Sequence, residues 1–267
     1  MKKFLFCFAM IFVIASAFPQ NWCPPGARWH FKRGYTPMDN SGTDGVIEMS
    51  YTTNTTVIGI PCKRLDATFT GARMFGAGSG WNITEHYKTY YTYSDNNVIF
   101  LYNETNAFDT VVNFNALPGD KWMKPRSAQT GCASRPVVIV TDTSHITING
   151  YYLKHIRTID SATIIGPTGP FTYAEINNYV ERILFFSYFT PNYLPQKLFA
   201  TGCEQSFEPE GPPFNVFRCY EDANFSLFKS TIYPWDLHAC NTPVGFEKIE
   251  SNNLNLSLYP NPNKGGF

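Results

Sequence analysis

The residues of this chain that could do chemistry are five histidines, one serine set between glycines, scattered carboxylates and a group of cysteines. His30, His86, His145, His155 and His238 stand singly, with no His-Glu-x-x-His spacing to hold zinc. Glu85 and His86 are chain neighbours, and on a strand they point to opposite faces. With Asn149-Gly150 as a two-residue turn, His145 falls opposite Lys154 and one place from His155, which makes no metal pair; both read as surface or cross-strand histidines. Ser79 in Gly76-Ala77-Gly78-Ser79-Gly80 has its glycines out of register for a nucleophile elbow, and Trp81-Asn82-Ile83-Thr84 does not continue as the helix an elbow requires. Glycoside hydrolysis needs two carboxylates across a cleft. Glu48, Asp66, Glu85, Glu104, Asp109, Glu175, Glu181, Glu221 and Asp222 are available, and sequence alone pairs none of them. Asp39-Asn40-Ser41-Gly42-Thr43-Asp44-Gly45 carries a calcium loop's oxygens but neither the ligand order nor the closing glutamate of an EF-hand. No catalytic residue, metal site or cofactor is assigned from the sequence.

Aromatic residues give the more informative pattern. Tyr91 and Tyr93 share one parity of a strand, and Phe100 and Tyr102 share a parity on the next. Such a ladder either stacks on sugar rings at an exposed face or packs across strands inside a sandwich. Among the cysteines, Cys7 falls in the leader, and Cys23, Cys62, Cys132, Cys203, Cys219 and Cys240 remain as an even set of six. In an exported chain this favours disulfides, with about 15 connectivities open. Cys219–Cys240 is the pairing chosen, because a short hairpin fits between them.

The elements that must carry these residues read as strands. Trp29 to Phe31, Val46 to Tyr51, Thr56 to Leu65 as a hairpin about Gly59, Glu85 to Tyr93, Val98 to Tyr102 and Thr110 to Phe114 follow one another, with Asp95-Asn96-Asn97 as a hairpin turn. Residues 69–82, with glycines at 71, 76, 78 and 80, read as a loop. Further strands fall at Val137 to Thr141, His145 to Ile156 about Asn149-Gly150, Tyr179 to Phe189, Val216 to Tyr220 and Phe225 to Lys229. The only place where a short helix is admitted is Thr172 to Asn178. The two glycine hairpins align, and residues of about 46–115 and 137–229 read as two similar β-meander units, with chance similarity weighed evenly against duplication. The fold expectation is all-β, a sandwich or distorted barrel.

At the N-terminus Lys2 and Lys3 precede the apolar run Phe4 to Ala15 and the small residues Ala15-Ser16-Ala17, so residues 1–17 read as a signal peptide. That run is too short to span a membrane, and no transmembrane segment follows. Without the leader the chain has 19 basic and 21 acidic residues and no basic run, which disfavours nucleic acid and anionic membranes as partners. At the C-terminus Leu254, Leu256 and Leu258 alternate with polar residues, after which Pro260 and Pro262 end the strand and Lys264-Gly265-Gly266 turns the chain.

The run Leu258-Tyr259-Pro260-Asn261-Pro262-Asn263-Lys264-Gly265-Gly266-Phe267 resembles the opening of the type A C-terminal sorting domain carried by cargo of the type IX secretion system of Bacteroidota. The resemblance implies a small β sorting module beginning at 253–267 and cut short there, a linker at 241–252 and an ectodomain at 18–240. It also implies the type IX machinery as partner and a secreted or outer-membrane surface location after passage through the periplasm. Cys23 to His30, the two hairpins, Phe114 to Trp122 and Arg218 to Asp222 are similar to a group of secreted Bacteroidota proteins with the same tail, a likeness that brings no activity with it. Asp109-Thr110-Val111 and Asp160-Ser161-Ala162 match the short O-glycosylation pattern of exported proteins from those bacteria. The functional expectation is a non-enzymatic binding or adhesion-type β protein with a glycan or surface-protein ligand. The alternatives are a secreted hydrolase using a carboxylate pair on a polysaccharide, and a structural envelope protein.

Overall fold

The computed structural model describes residues 22–35, 42–75, 79–103, 105–125, 135, 137–166, 169–184, 214–230 and 239–241. Within them the chain forms twelve strands, and no helix occurs among the described residues. They are β1 (Arg28–Tyr35), β2 (Gly42–Val57), β3 (Ile60–Phe75), β4 (Ser79–Asp95), β5 (Val98–Tyr102), β6 (Phe108–Asn113), β7 (Lys121–Met123), β8 (Val137–Ile148), β9 (Tyr151–Gly166), β10 (Gly169–Val180), β11 (Phe214–Asp222) and β12 (Phe225–Lys229). All pairings are antiparallel, in an eight-stranded sheet ordered β12-β11-β1-β2-β3-β4-β5-β6 and a four-stranded sheet ordered β10-β9-β8-β7. The two sheets do not close on each other, which settles the sandwich against the barrel.

Tight turns set the registers. Asn96-Asn97 and Asn149-Gly150 both hold positive φ at their two central residues, the geometry a two-residue hairpin needs. Ile58-Gly59 does the same with φ of 43° and 82°, although Ile58 is β-branched and 61% exposed. Of the stretch read as loop over residues 69–82, residues 69–75 are instead the end of β3 and residues 79–82 the start of β4, while 76–78 lie outside the described residues. Gly71 is there for close approach, not for a turn. It pairs with Gly45, and a Cβ on Gly71 would lie 2.3 Å from the Asp44 carbonyl oxygen and 2.8 Å from the Phe69 ring. The admitted helix at Thr172 to Asn178 is likewise overturned, since those residues lie inside β10 and pair with β9. β10 also ends at Val180, where the expected strand was to begin; Arg182 and Leu184 then take φ of 71° and 70° in a turn.

The core lies where the sheets meet. Trp22, just before β1, and Trp29, Phe31, Ile47, Met49, Leu65, Phe69, Ile99 and Leu101 of the larger sheet share one cluster with Val140, Leu153, Ile156, Tyr179, Val180, Ile183 and Leu184. Polar contacts fix the seam. The Trp29 indole donates to the Ile183 carbonyl at 2.9 Å, the Tyr151 hydroxyl donates to the Asn224 carbonyl at 2.6 Å, and the Asn149 amide donates to the Ser226 carbonyl at 2.7 Å. Arg182 makes a two-pronged pair with Asp222 at 2.7 Å in each arm, and side-chain exposure there is 8% and 0%. The β11–β12 hairpin, which receives the last three of these contacts, is tied by the Cys219–Cys240 disulfide to the chain beyond β12, with Cα atoms 5.8 Å apart. The pairing expected from the sequence is thus formed. β11 and β12 add to β1 in the larger sheet, beside the β2–β6 meander, while β7–β10 make the smaller one.

Burial pushes the Asp222 carboxyl up, but hydrogen bonds from Arg182, Tyr220 and the Asn224 amide outweigh it and hold the group below its ordinary range. A carboxyl depressed in the folded state stabilises fully above its unfolded value near about 4, and the contribution is lost as pH falls through the lower folded value. Asp222→Asn is therefore expected to lower stability by about 3–5 kcal/mol at neutral pH and to flatten the loss on acidification, both read from urea denaturation across a pH series. Ile58→Asn, which relieves a β-branched residue at positive φ, is expected to raise stability by about 1 kcal/mol in the same assay, whereas Gly71→Ala is expected to cost about 1–3 kcal/mol.

Candidate functional site

Strand alternation sorts the larger sheet into an inner face that feeds the core and an outer face that does not. On β4 and β5 the buried residues Thr92, Ile99 and Leu101 point inward, which turns Tyr91, Tyr93, Phe100 and Tyr102 outward. All four are half-buried. Register sets Tyr93 opposite Phe100, and their rings stack at 4.6 Å with planes 10° apart. Phe108, opposite Tyr102 on β6, meets Tyr93 edge-on at 4.8 Å and Tyr102 at 5.3 Å. The structure thus brings Tyr93, Phe100 and Tyr102 together around Phe108, and Tyr91 continues the row, opposite Arg64. Phe108 was not singled out because β6 starts two residues earlier than its apolar pattern indicates. Its position, one strand over from a Tyr and Phe ladder, was the available signal.

A polar group adjoins the cluster along the same face. Asp66 accepts from Arg64 Nε at 3.0 Å, from the Thr89 hydroxyl at 2.7 Å and from the Thr52 hydroxyl at 2.9 Å. Thr89 also lies 3.2 Å from His86 Nε2. Burial pushes the Asp66 carboxyl up, but these donors win and hold it below its ordinary range. The Tyr93 phenol is pushed up by burial first, then by Asp95 and Cys62. The arrangement offers half-exposed aromatic carbon beside a fixed, charged, hydrogen-bonding row. It can grip a partner by apolar contact and orient it by polar contact.

The other sequence candidates lie elsewhere. Cys23 and Cys62, expected in disulfides, are free buried thiols. Lys63 donates to the Cys23 carbonyl at 2.6 Å, so Cys62, its neighbour on the strand, points to the other face and away from Cys23. Burial pushes the Cys23 thiol up to about 12, which suppresses the reactive thiolate. Cys132, Cys203, His238, the leader 1–17 and the sorting run Leu258, Tyr259, Pro260, Asn261, Pro262, Asn263, Lys264, Gly265 and Phe267 lie outside the described residues. Of the calcium-like stretch, Gly42 to Gly45 form the start of β2, and Asp44 pairs with Lys32. His30 is buried with Nε2 3.3 Å from Glu48, and His145 stacks on the exposed Tyr152 ring at 4.5 Å opposite Lys154. His155 bridges Ser144 and Asn178 at 3.0 Å each.

Six of the carboxylates named as hydrolytic candidates are held by cations: Glu48 by Arg28, Asp66 by Arg64, Glu85 by Arg73, Asp109 by Arg135, Glu221 by Arg28 and Asp222 by Arg182; Glu104 and the Glu175 side chain lie outside what the structure describes. Glu181 instead accepts from the Lys154 amide at 3.1 Å. No group of three or more potential metal-binding side chains occurs among the described residues, and no helix long and apolar enough to cross a membrane occurs among them. No family model, no curated protein and no solved structure matches the chain.

The outer cluster and the inner core respond differently to truncation. Phe100→Ala, made on a half-buried outward ring, is expected to cost about 1 kcal/mol, while Leu101→Ala next to it is expected to cost about 2–5 kcal/mol. Denaturant midpoints of the two variants read the difference.

Proposed function

We propose that this chain is a secreted or surface-displayed, non-enzymatic β protein, carried by the type IX secretion route, that binds a glycan or surface protein through the outer aromatic cluster. The carrying observation is the placement of Tyr93, Phe100, Tyr102 and Phe108 on the face of the larger sheet away from the core, half-buried and flanked by the Arg64–Asp66–Thr89 row. A cluster needed only for folding is better placed on the inner face, where burial is complete; the outer position leaves apolar carbon available to a partner. The export part of the reading rests on the leader-like residues 1–17 and on the resemblance of Leu258 to Phe267 to a sorting domain.

A polysaccharide hydrolase needs a carboxyl held above its ordinary range to donate a proton. Where described carboxyls shift (Glu48, Asp66 and Asp222) the shift is downward. None of these three is therefore poised as the proton donor of such a reaction.

The chain is expected to bind glycan arrays or isolated cell-surface fractions. Phe108→Ala is expected to weaken that binding by about tenfold, and Tyr152→Ala, on the other sheet, to leave it unchanged. Equal binding by both variants, or release of cleaved sugar, overturns the reading. For the address, a Bacteroidota host without a working type IX apparatus is expected to hold the chain in its periplasm, and unchanged export refutes that part.

A further inference from the structure

Lys124 follows β7 directly, and its side chain crosses β8 to reach β9. Its Nζ lies 2.5 Å from Asp160 Oδ2, and the side chains are 7% and 4% exposed. The backbone on the lysine side is pinned, since Arg135 Nε donates to the Lys124 carbonyl at 2.7 Å. The acid is pinned as well. The Thr158 hydroxyl donates to Asp160 Oδ1 at 2.8 Å, and the Tyr179 hydroxyl approaches Oδ2 at 3.4 Å. Asn177, opposite Thr158 in the register, is 1% exposed, and its amide nitrogen has no hydrogen-bond partner. An amine and a carboxyl are therefore held together in a dry, polar pocket inside the smaller sheet.

We propose that Lys124 and Asp160 condense to an isopeptide bond, an intramolecular cross-link that staples the end of β7 to β9. Burying two full charges is costly, and condensation removes both. One proton passes from the ammonium to the carboxylate. The Nζ lone pair then attacks Cγ, which is at most one C–O bond beyond the oxygen it already touches. The hydroxyl of Thr158 faces Oδ1, where negative charge develops on the tetrahedral carbon. A second proton moves from nitrogen to Oδ2, beside the Tyr179 hydroxyl, and the Cγ–Oδ2 bond breaks. One water leaves, one amide N–H remains, and nothing is oxidised or reduced. Fixed proximity makes the step accessible without an activating group, because effective molarities of about 10⁵–10⁸ M replace a bimolecular encounter.

The purified full chain, with its disulfide reduced, is expected to have an intact mass one water below that of its sequence. Peptide mapping is expected to return one branched peptide joining the Lys124 and Asp160 segments. Lys124→Arg keeps the cation but is a poor nucleophile, so that chain is expected to fold and show full mass; Asp160→Ala is expected to show full mass too. The wild-type measurement stands even where a variant fails to fold. Wild-type chain at full mass, with Lys124 and Asp160 in separate linear peptides, overturns the proposal. A lost water that maps to another pair, such as Lys32 and Asp44, overturns it equally.

Discussion

Arg182 and Asp222 meet at the seam between the sheets, and much of the fold is arranged to let them. Asp222 accepts both arms of the guanidinium, the Tyr220 hydroxyl at 2.5 Å and the backbone amides of Asn224 and Phe225 at 2.8 and 3.0 Å. The last two bonds shape the turn between β11 and β12, so one carboxylate both forms the hairpin and docks it. Arg182 lies 4.8 Å from the Tyr151 ring centre and 5.1 Å from that of Phe225, which covers its charge with aromatic faces from both sheets. Its own φ is 71°, and that of Leu184 is 70°. Left-handed backbone at such residues costs about 1–2 kcal/mol each, a strain offset by the pair and by the Trp29 bond to the intervening Ile183 carbonyl.

That seam determines what the outer face can be. The smaller sheet and the turn after β10 cover the inner face of the larger one, so Trp29, Phe31, Met49, Leu65 and Leu101 are spent on the core. Everything of opposite parity is left to another environment. Near β1 and β2 that parity carries Arg28, His30, Lys32, Glu48 and Asp44, linked across strands; near β4 to β6 it carries the aromatic group. Burial and the nearby Arg218 charge pull the Lys32 ammonium down to about 8, a sign of how closed the β1 end is. The β5–β6 end is the more open one, and it is there that the rings remain half-exposed.

Most of the strand content was legible in the sequence because period-two alternation and Asn-rich turns report local constraints. The hairpins at Asn96-Asn97 and Asn149-Gly150 illustrate this, and so does the bridge from Cys219 to Cys240. What failed was nonlocal. Gly71 looks like a loop residue until Gly45 and the Phe69 ring are set against it across a strand. Thr172 to Asn178 lacks a clean strand pattern, and only pairing with β9 holds it extended. At the site, parity placed Tyr93 and Phe100 on one face, but Phe108 came from a strand whose register shifts by one residue between Ile99 and Phe100. Bulges of that kind leave no mark in composition, and they decide which rings meet.

The buried ion pairs raise a different question, because a chain with only 16% charged residues places several of them inside. Replacing a buried pair with apolar side chains of equal volume is often neutral or stabilising. Stability alone is then a weak reason for Arg182–Asp222 or Lys32–Asp44. Register is a better one. Antiparallel strands rich in Thr, Tyr and Val can slip by two residues and keep every apolar side chain on its own face. A charge that loses its partner in the slipped state is heavily penalised in a way that a displaced valine is not. Arg182–Asp222 lies where the turn after β10 meets the end of β11, so the smaller sheet is held to the larger one by a contact that tolerates no slippage.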